Sequence, residues 1–135
     1  MAINAERLAP HAYAVMRIVF GAMFITYGLQ KLGMLGGQAV PLAGRMGVAA
    51  LIETLGGLLI AIGFFTRSAA FIASGQMAAA YFMSHHPRGL LPVHNQGIPA
   101  VLLCFAFLYF AAHGAGIWSV DGKRGRNRRR VRPLP

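Results

Sequence analysis

Met46–Ser84 reads MGVAALIETLGGLLIAIGFFTRSAAFIASGQMAAAYFMS, and this stretch settles the kind of fold the chain adopts. Two apolar runs, 46–65 and 68–84, flank the short connection Thr66-Arg67-Ser68; the first run holds one charge, Glu53, and the second none. At 1.5 Å per helical residue each suits a hydrocarbon core of about 30 Å. Backbone amides in lipid find no water, so such runs must be helices, and the dyad alternation of a membrane β-barrel is missing.

Two further apolar runs flank this hairpin. One spans 12–32 and carries Arg17 and Lys31; the other spans 98–113, is uncharged, and has Pro99 suited to a first helical turn. The expected fold is therefore all-α: an integral membrane antiparallel four-helix bundle over residues 1–121, followed by a basic tail over 122–135. The first run reads as a retained helix rather than a signal peptide, because Arg17 interrupts it and no small-residue cleavage site follows.

Composition points the same way. Of 135 residues, 56% are apolar, mean hydropathy is +0.55, and only 12% are charged, about half the roughly 25% of soluble domains. Seven of the sixteen charged residues fall after residue 122, leaving too few to clothe a soluble surface. A soluble enzyme and a disordered chain are both excluded. Cys104 is the single cysteine, so an internal disulfide and a multi-cysteine metal site are excluded too.

The net charge of +10 is unevenly placed. Arg7, Arg67 and the tail lie on one side of four crossings; Lys31, Arg45 and Arg88 lie on the other. The positive-inside rule then predicts cytoplasmic N- and C-termini, with Trp118 an interfacial anchor on that side.

Charges within a span turn toward protein or water. Arg17, Gly21, Phe24, Gly28 and Lys31 share one face of the first helix, and Glu53, Gly57, Ile60, Phe64 and Arg67 share one face of the second. The glycines, with Gly56 and Gly63 beside them, predict close helix packing. Alanines crowd the third run, which places Gln76 near mid-membrane. Glu53 lies about 10 Å below the end of its helix. Lys31 matches that depth and has a flexible stem, whereas Arg17 enters from the opposite side, so Lys31–Glu53 is the expected ion pair. Arg17 has two open readings, a buried role or a guanidinium snorkelling to the head groups. Glu53 is too short to escape: it must be paired, protonated or facing water, which makes it the leading functional carboxyl.

His85, His86 and His94 cluster with Arg88 and Asn95, yet their spacing matches no compact metal motif, and no metal site is expected. His11 and His113 fall at equal depth and could face each other across a haem, a reading disfavoured against ordinary interfacial histidines. Cys104 reads as an inert packing residue. The tail GKRGRNRRRVR, with Arg124, Arg126, Arg128, Arg129, Arg130 and Arg132, fits anionic lipid head groups at about 1 kcal/mol per basic residue. Docking on another membrane subunit is the rival reading, and nucleic acid ranks last.

Together these residues resemble the DoxX family of small four-helix bacterial membrane proteins. The matching pieces are Arg17; Tyr27-Gly28-Leu29-Gln30-Lys31-Leu32; Glu53-Thr54-Leu55-Gly56-Gly57 leading to Gly63-Phe64-Phe65-Thr66-Arg67; Asn95-Gln96-Gly97; and Gly114-Ala115-Gly116-Ile117-Trp118-Ser119-Val120-Asp121. Many members carry a glutamate shortly after the asparagine–glycine turn, where this chain has Ile98-Pro99. The resemblance implies a bacterial inner-membrane location. It also implies links to thiosulfate or quinone oxidation, or to membrane complexes that handle thiol stress.

Three functions follow as expectations. The first is a non-catalytic accessory or stabilising subunit of a larger membrane redox or energy-converting complex. The second is a quinone-binding component using Arg17, Lys31, Glu53 and Gln76, since a quinone needs an apolar slot with a few polar groups at its carbonyls. A small-solute transporter comes third, because four short helices without an inverted repeat leave little room for alternating access.

Overall fold

Alternating apolar runs and glycine-rich breaks fold into helices and short loops, with no strand among the described residues. The computed structural model describes residues 4–131, the last two in backbone only. In chain order the elements are α1 (Ala5–Lys31), α2 (Arg45–Ile62), α3 (Thr66–Ala80), α4 (Pro92–Asn95), α5 (Ile98–His113) and α6 (Val120–Val131). Helix α2 is α-helical at both ends, with a π-helical turn at Ile52–Gly56 between them. A second π turn, Tyr81–His85, prolongs α3 into the 3₁₀ turn His86–Arg88. Helices α1 and α2 are long and apolar enough to cross a membrane, and α5 is a shorter apolar helix.

Helices α1 and α2 pack antiparallel with their backbones in near contact, and glycine makes this possible. A Cβ at Gly21 would lie 2.7 Å from the Ala61 nitrogen, and one at Gly57 would lie 2.7 Å from the Gly21 carbonyl oxygen. At Gly28 it would come 2.9 Å from the Ala50 oxygen. Gly56 differs: it is buried, but a methyl there would meet Phe24 at an ordinary 3.8 Å. Gly63 is both a close contact and a stop: a Cβ there would collide with that of Ser119. Its left-handed φ of 71° ends α2, with Phe64 N donating to Leu59 O and Gly63 N to Ile60 O, the bond pattern of a Schellman cap.

The second antiparallel pair is α3 with α5. Ala69, Ala70 and Ala73 give α3 a shallow face that receives Leu103, Phe107 and Phe110 of α5, all buried. Ser74 Oγ donates to Cys104 O at 2.8 Å across this interface. Phe24 of α1 meets Phe107 with ring centroids 4.7 Å apart, which ties the two pairs into one apolar core.

The basic segment is helical from Val120 to Val131, where its charge pattern alone had suggested only a tail. The reason is local: Ser119 Oγ accepts from Gly122 N at 3.0 Å, an N-cap bond, and Asp121 sits in the first turn, where the helix dipole favours an anion. Lys123, Arg124, Arg126, Arg128 and Arg129 are exposed along it. Of Arg130 only the backbone is described, and Arg132 lies outside the described residues.

Candidate functional site

The π turn of α2 carries a buried carboxyl group, Glu53. Such turns widen a helix locally and recur at functional sites. Glu53 occupies the first part of it and is 1% exposed. Its Oε1 accepts from Lys31 Nζ of α1 and from Gln76 Nε2 of α3, the latter at 3.0 Å. Gly28, one turn before Lys31, lets α1 approach close enough to bring the ammonium to the carboxylate. Thr54 beside it donates its hydroxyl to Ala50 O at 2.8 Å and so is already committed. Two oxygens remain without a partner, Glu53 Oε2 and Gln76 Oε1, both buried. Three helices therefore converge on a group with spare acceptor capacity in otherwise apolar surroundings.

Arg17 does not join this group. It lies fourteen residues before Lys31 on α1, about 21 Å away along the helix. It is fully buried rather than snorkelling. Its Nη1 donates to Ile60 O (2.8 Å) and Ala61 O (2.5 Å), and its Nη2 to Ile117 O (3.3 Å) and Trp118 O (2.8 Å). A cation on the last carbonyls of α2 also complements the helix dipole. This makes Arg17 a brace, not part of a ligand site with Glu53.

Arg67, expected on the second helix face but carried by α3, and Asp121, which sequence reasoning left without a role, complete that brace. Arg67 donates to the carbonyls of Ala111, Ala112 and His113, capping the C-terminus of α5. Asp121 accepts from Phe65 N (3.1 Å) and Thr66 N (2.9 Å), capping the N-terminus of α3, while its own N–H donates to Gly63 O. Each lies at a helix terminus of matching dipole sign, a signal that was available in Thr66-Arg67 and Ser119-Val120-Asp121. At the other end Asn95 is 1% exposed: it donates to Gly89 O at 2.7 Å and accepts from Gly97 N at 2.8 Å.

The histidines divide among other partners. His85 Nδ1 contacts Asn95 O at 3.1 Å and Arg88 Nη2 at 3.1 Å, and His94 is exposed. His11 packs its ring edgewise on Trp118, whereas His113 lies against Tyr13 with centroids 4.0 Å apart. Among the described residues, no three His, Cys, Asp or Glu side chains lie close enough to hold a metal ion.

The braced end and the Glu53 turn both fall on sequence signatures, and the DoxX family model matches residues 12–86, more than half of the chain. The protein belongs to the DoxX family. Family membership, together with the two long apolar helices, makes this DoxX chain a membrane protein. It is 41% identical over 128 residues to an uncharacterized protein of Haemophilus influenzae, covering 89% of this chain and 96% of that one. No solved structure matches this DoxX protein.

Proposed function

We propose that this DoxX protein is a small accessory subunit that stabilises a larger redox or energy-converting complex in the bacterial inner membrane. In this reading it is a four-helix bundle whose helical runs α1, α2, α3 with its π extension, and α5 each cross the bilayer. Arg7, Arg67 and the α6 cations mark the cytoplasmic end, and Lys31, Arg45 and Arg88 the other. The observation that carries the subunit role is where the polar side chains point. Arg17, Arg67, Asp121 and Asn95 bond to the chain's own backbone, while large apolar side chains such as Phe71, Phe82 and Phe105 face outward. The result is a rigid apolar-walled body with a basic helix at one end, suited to lateral docking and to anionic head groups or an acidic subunit face. Solubilising native membranes in mild detergent tests this. The protein should co-migrate with redox subunits; a free species that is fully active alone would overturn it.

A second reading has its own observation. Lys31, Glu53 and Gln76 form a buried polar group with acceptors to spare, the chemistry that a quinol hydroxyl requires. If a quinone head group engages it, Glu53→Gln lowers quinone-dependent turnover of the purified assembly, whereas Arg17, at the far end, contributes only through folding. Unchanged turnover in a folded Glu53→Gln variant would rule this out.

A further inference from the structure

Glu53 and Gln76 meet as a carboxyl and a primary amide that share one hydrogen bond, from Gln76 Nε2 to Glu53 Oε1 at 3.0 Å. Their remaining oxygens, Glu53 Oε2 and Gln76 Oε1, are both buried and both lack a partner. With Glu53 ionised, each of these is an acceptor only, so neither can satisfy the other. A single proton on Oε2 changes this, because a protonated carboxyl gains an O–H donor. The unmatched acceptor on the group already bonded to it is the amide oxygen. Acid and amide are then joined by two bonds running in opposite senses, N–H to Oε1 and O–H to Gln76 Oε1, and one proton removes both orphans.

We propose that Glu53 and Gln76 form a proton-binding site between α2 and α3, in which Glu53 Oε2 holds a proton and donates it to Gln76 Oε1, in exchange with the Lys31–Glu53 ion pair. The charge balance is simple. Ionised, the site pairs the Lys31 ammonium with the Glu53 carboxylate and is neutral. With the added proton Glu53 is neutral, and the lysine's single positive charge is released. Lys31 is placed for this, since its side chain is 23% exposed against 1% for Glu53, so the proton enters from the Lys31 end of α1.

The surrounding groups leave the exchange to these three residues. From α1 the charged neighbour is Lys31, and from α3 the bonded neighbour is the uncharged Gln76. On α2 itself the Thr54 hydroxyl is committed to Ala50 O, and the nearest charge along the helix is the exposed Arg45. Arg17 and Arg67 belong to the opposite end and bond to carbonyls there. The inference uses no quinone and stands whether or not one binds.

Infrared difference spectroscopy on the full-length protein in lipid vesicles tests it. As pH is lowered, a protonated-carboxyl C=O band should appear, shift down in D₂O, and move with ¹³C-glutamate labelling. The chain's glutamates are Glu6 and Glu53, and Glu6 is exposed, so loss of the band in Glu53→Gln assigns it. Gln76→Leu should move the band to higher frequency, because the carboxyl loses its amide partner. Gln76→Asn, which keeps the amide on a shorter stem, serves if the leucine variant does not fold. A wild-type protein with no assignable band throughout its folded pH range would overturn the proposal, as would a band that ignores both Gln76 variants.

Discussion

Lys31 and Glu53 form an ion pair with one wet end and one dry end. The lysine side chain is 23% exposed and the glutamate 1%, although both accompany the same contact. Removing the lysine therefore leaves a buried carboxylate without its counter-charge, held by Gln76 alone. Lys31→Met should destabilise the fold by up to about 3 kcal/mol, the low end for a broken buried pair because one partner is partly hydrated. Adding Glu53→Gln to that variant should recover most of the loss. Thermal unfolding in detergent reads both changes, and a double variant no more stable than Lys31→Met would contradict the assignment.

Arg17 offers a different test, because charge alone does not explain it. Its two terminal nitrogens reach four carbonyls, Ile60, Ala61, Ile117 and Trp118. Lysine keeps the charge but lacks the planar fork. Arg17→Lys should still cost about 2–3 kcal/mol, the scale of a lost charge-assisted bond with buried carbonyls left unmatched. Equal stability of Arg17→Lys and wild type in urea unfolding would show that the fork is dispensable.

The glycines of the α1–α2 contact should not behave alike. Gly21→Ala forces a methyl to within 2.7 Å of backbone and should cost about 1–3 kcal/mol by overpacking. Gly56→Ala meets only a 3.8 Å contact, and should be neutral or stabilising by roughly 0.5–1 kcal/mol through reduced unfolded-chain entropy. Melting temperatures of the two variants in one detergent decide the matter.

Asp121 caps α3 from outside that helix, so its loss should act in two places. Asp121→Ala should lower stability by about 0.5–2 kcal/mol, the range of a lost N-cap. It should also loosen α6, whose basic residues would become faster targets for trypsin. Unaltered cleavage kinetics would separate the cap from the placement of α6.

The fold was legible where residue spacing and bilayer thickness leave few choices. Helix boundaries near residues 31, 98 and 113 follow from apolar runs and Pro99, whereas the left-handed stop at Gly63 ends α2 at Ile62, short of the expected 65. The pairing of Lys31 with Glu53 was legible as well, because equal depth on facing helices is a one-dimensional argument. Gln76 could be placed only near mid-membrane, since nothing in a sequence gives the rotation of α3 toward Glu53. Arg17 escaped for a related reason: its acceptors are backbone carbonyls about 44 and 100 residues away, and carbonyls leave no trace in side-chain patterns. The π turn is equally silent, because Ile52–Gly56 has a composition that an ordinary helix would accept.

The brace at Arg17 also bears on how the molecule is made. Two of its four acceptors belong to Ile117 and Trp118, and neighbouring Tyr13 donates to Gly114 O. A ribosome delivers the first helix long before these carbonyls exist, so Arg17 must wait with half of its partners unsynthesised. Helix α1 thus emerges well before half of the bonds that Arg17 makes can form. Truncation before Ile117 removes more than a tail, since it withdraws two of the four carbonyls that hold Arg17 in α1.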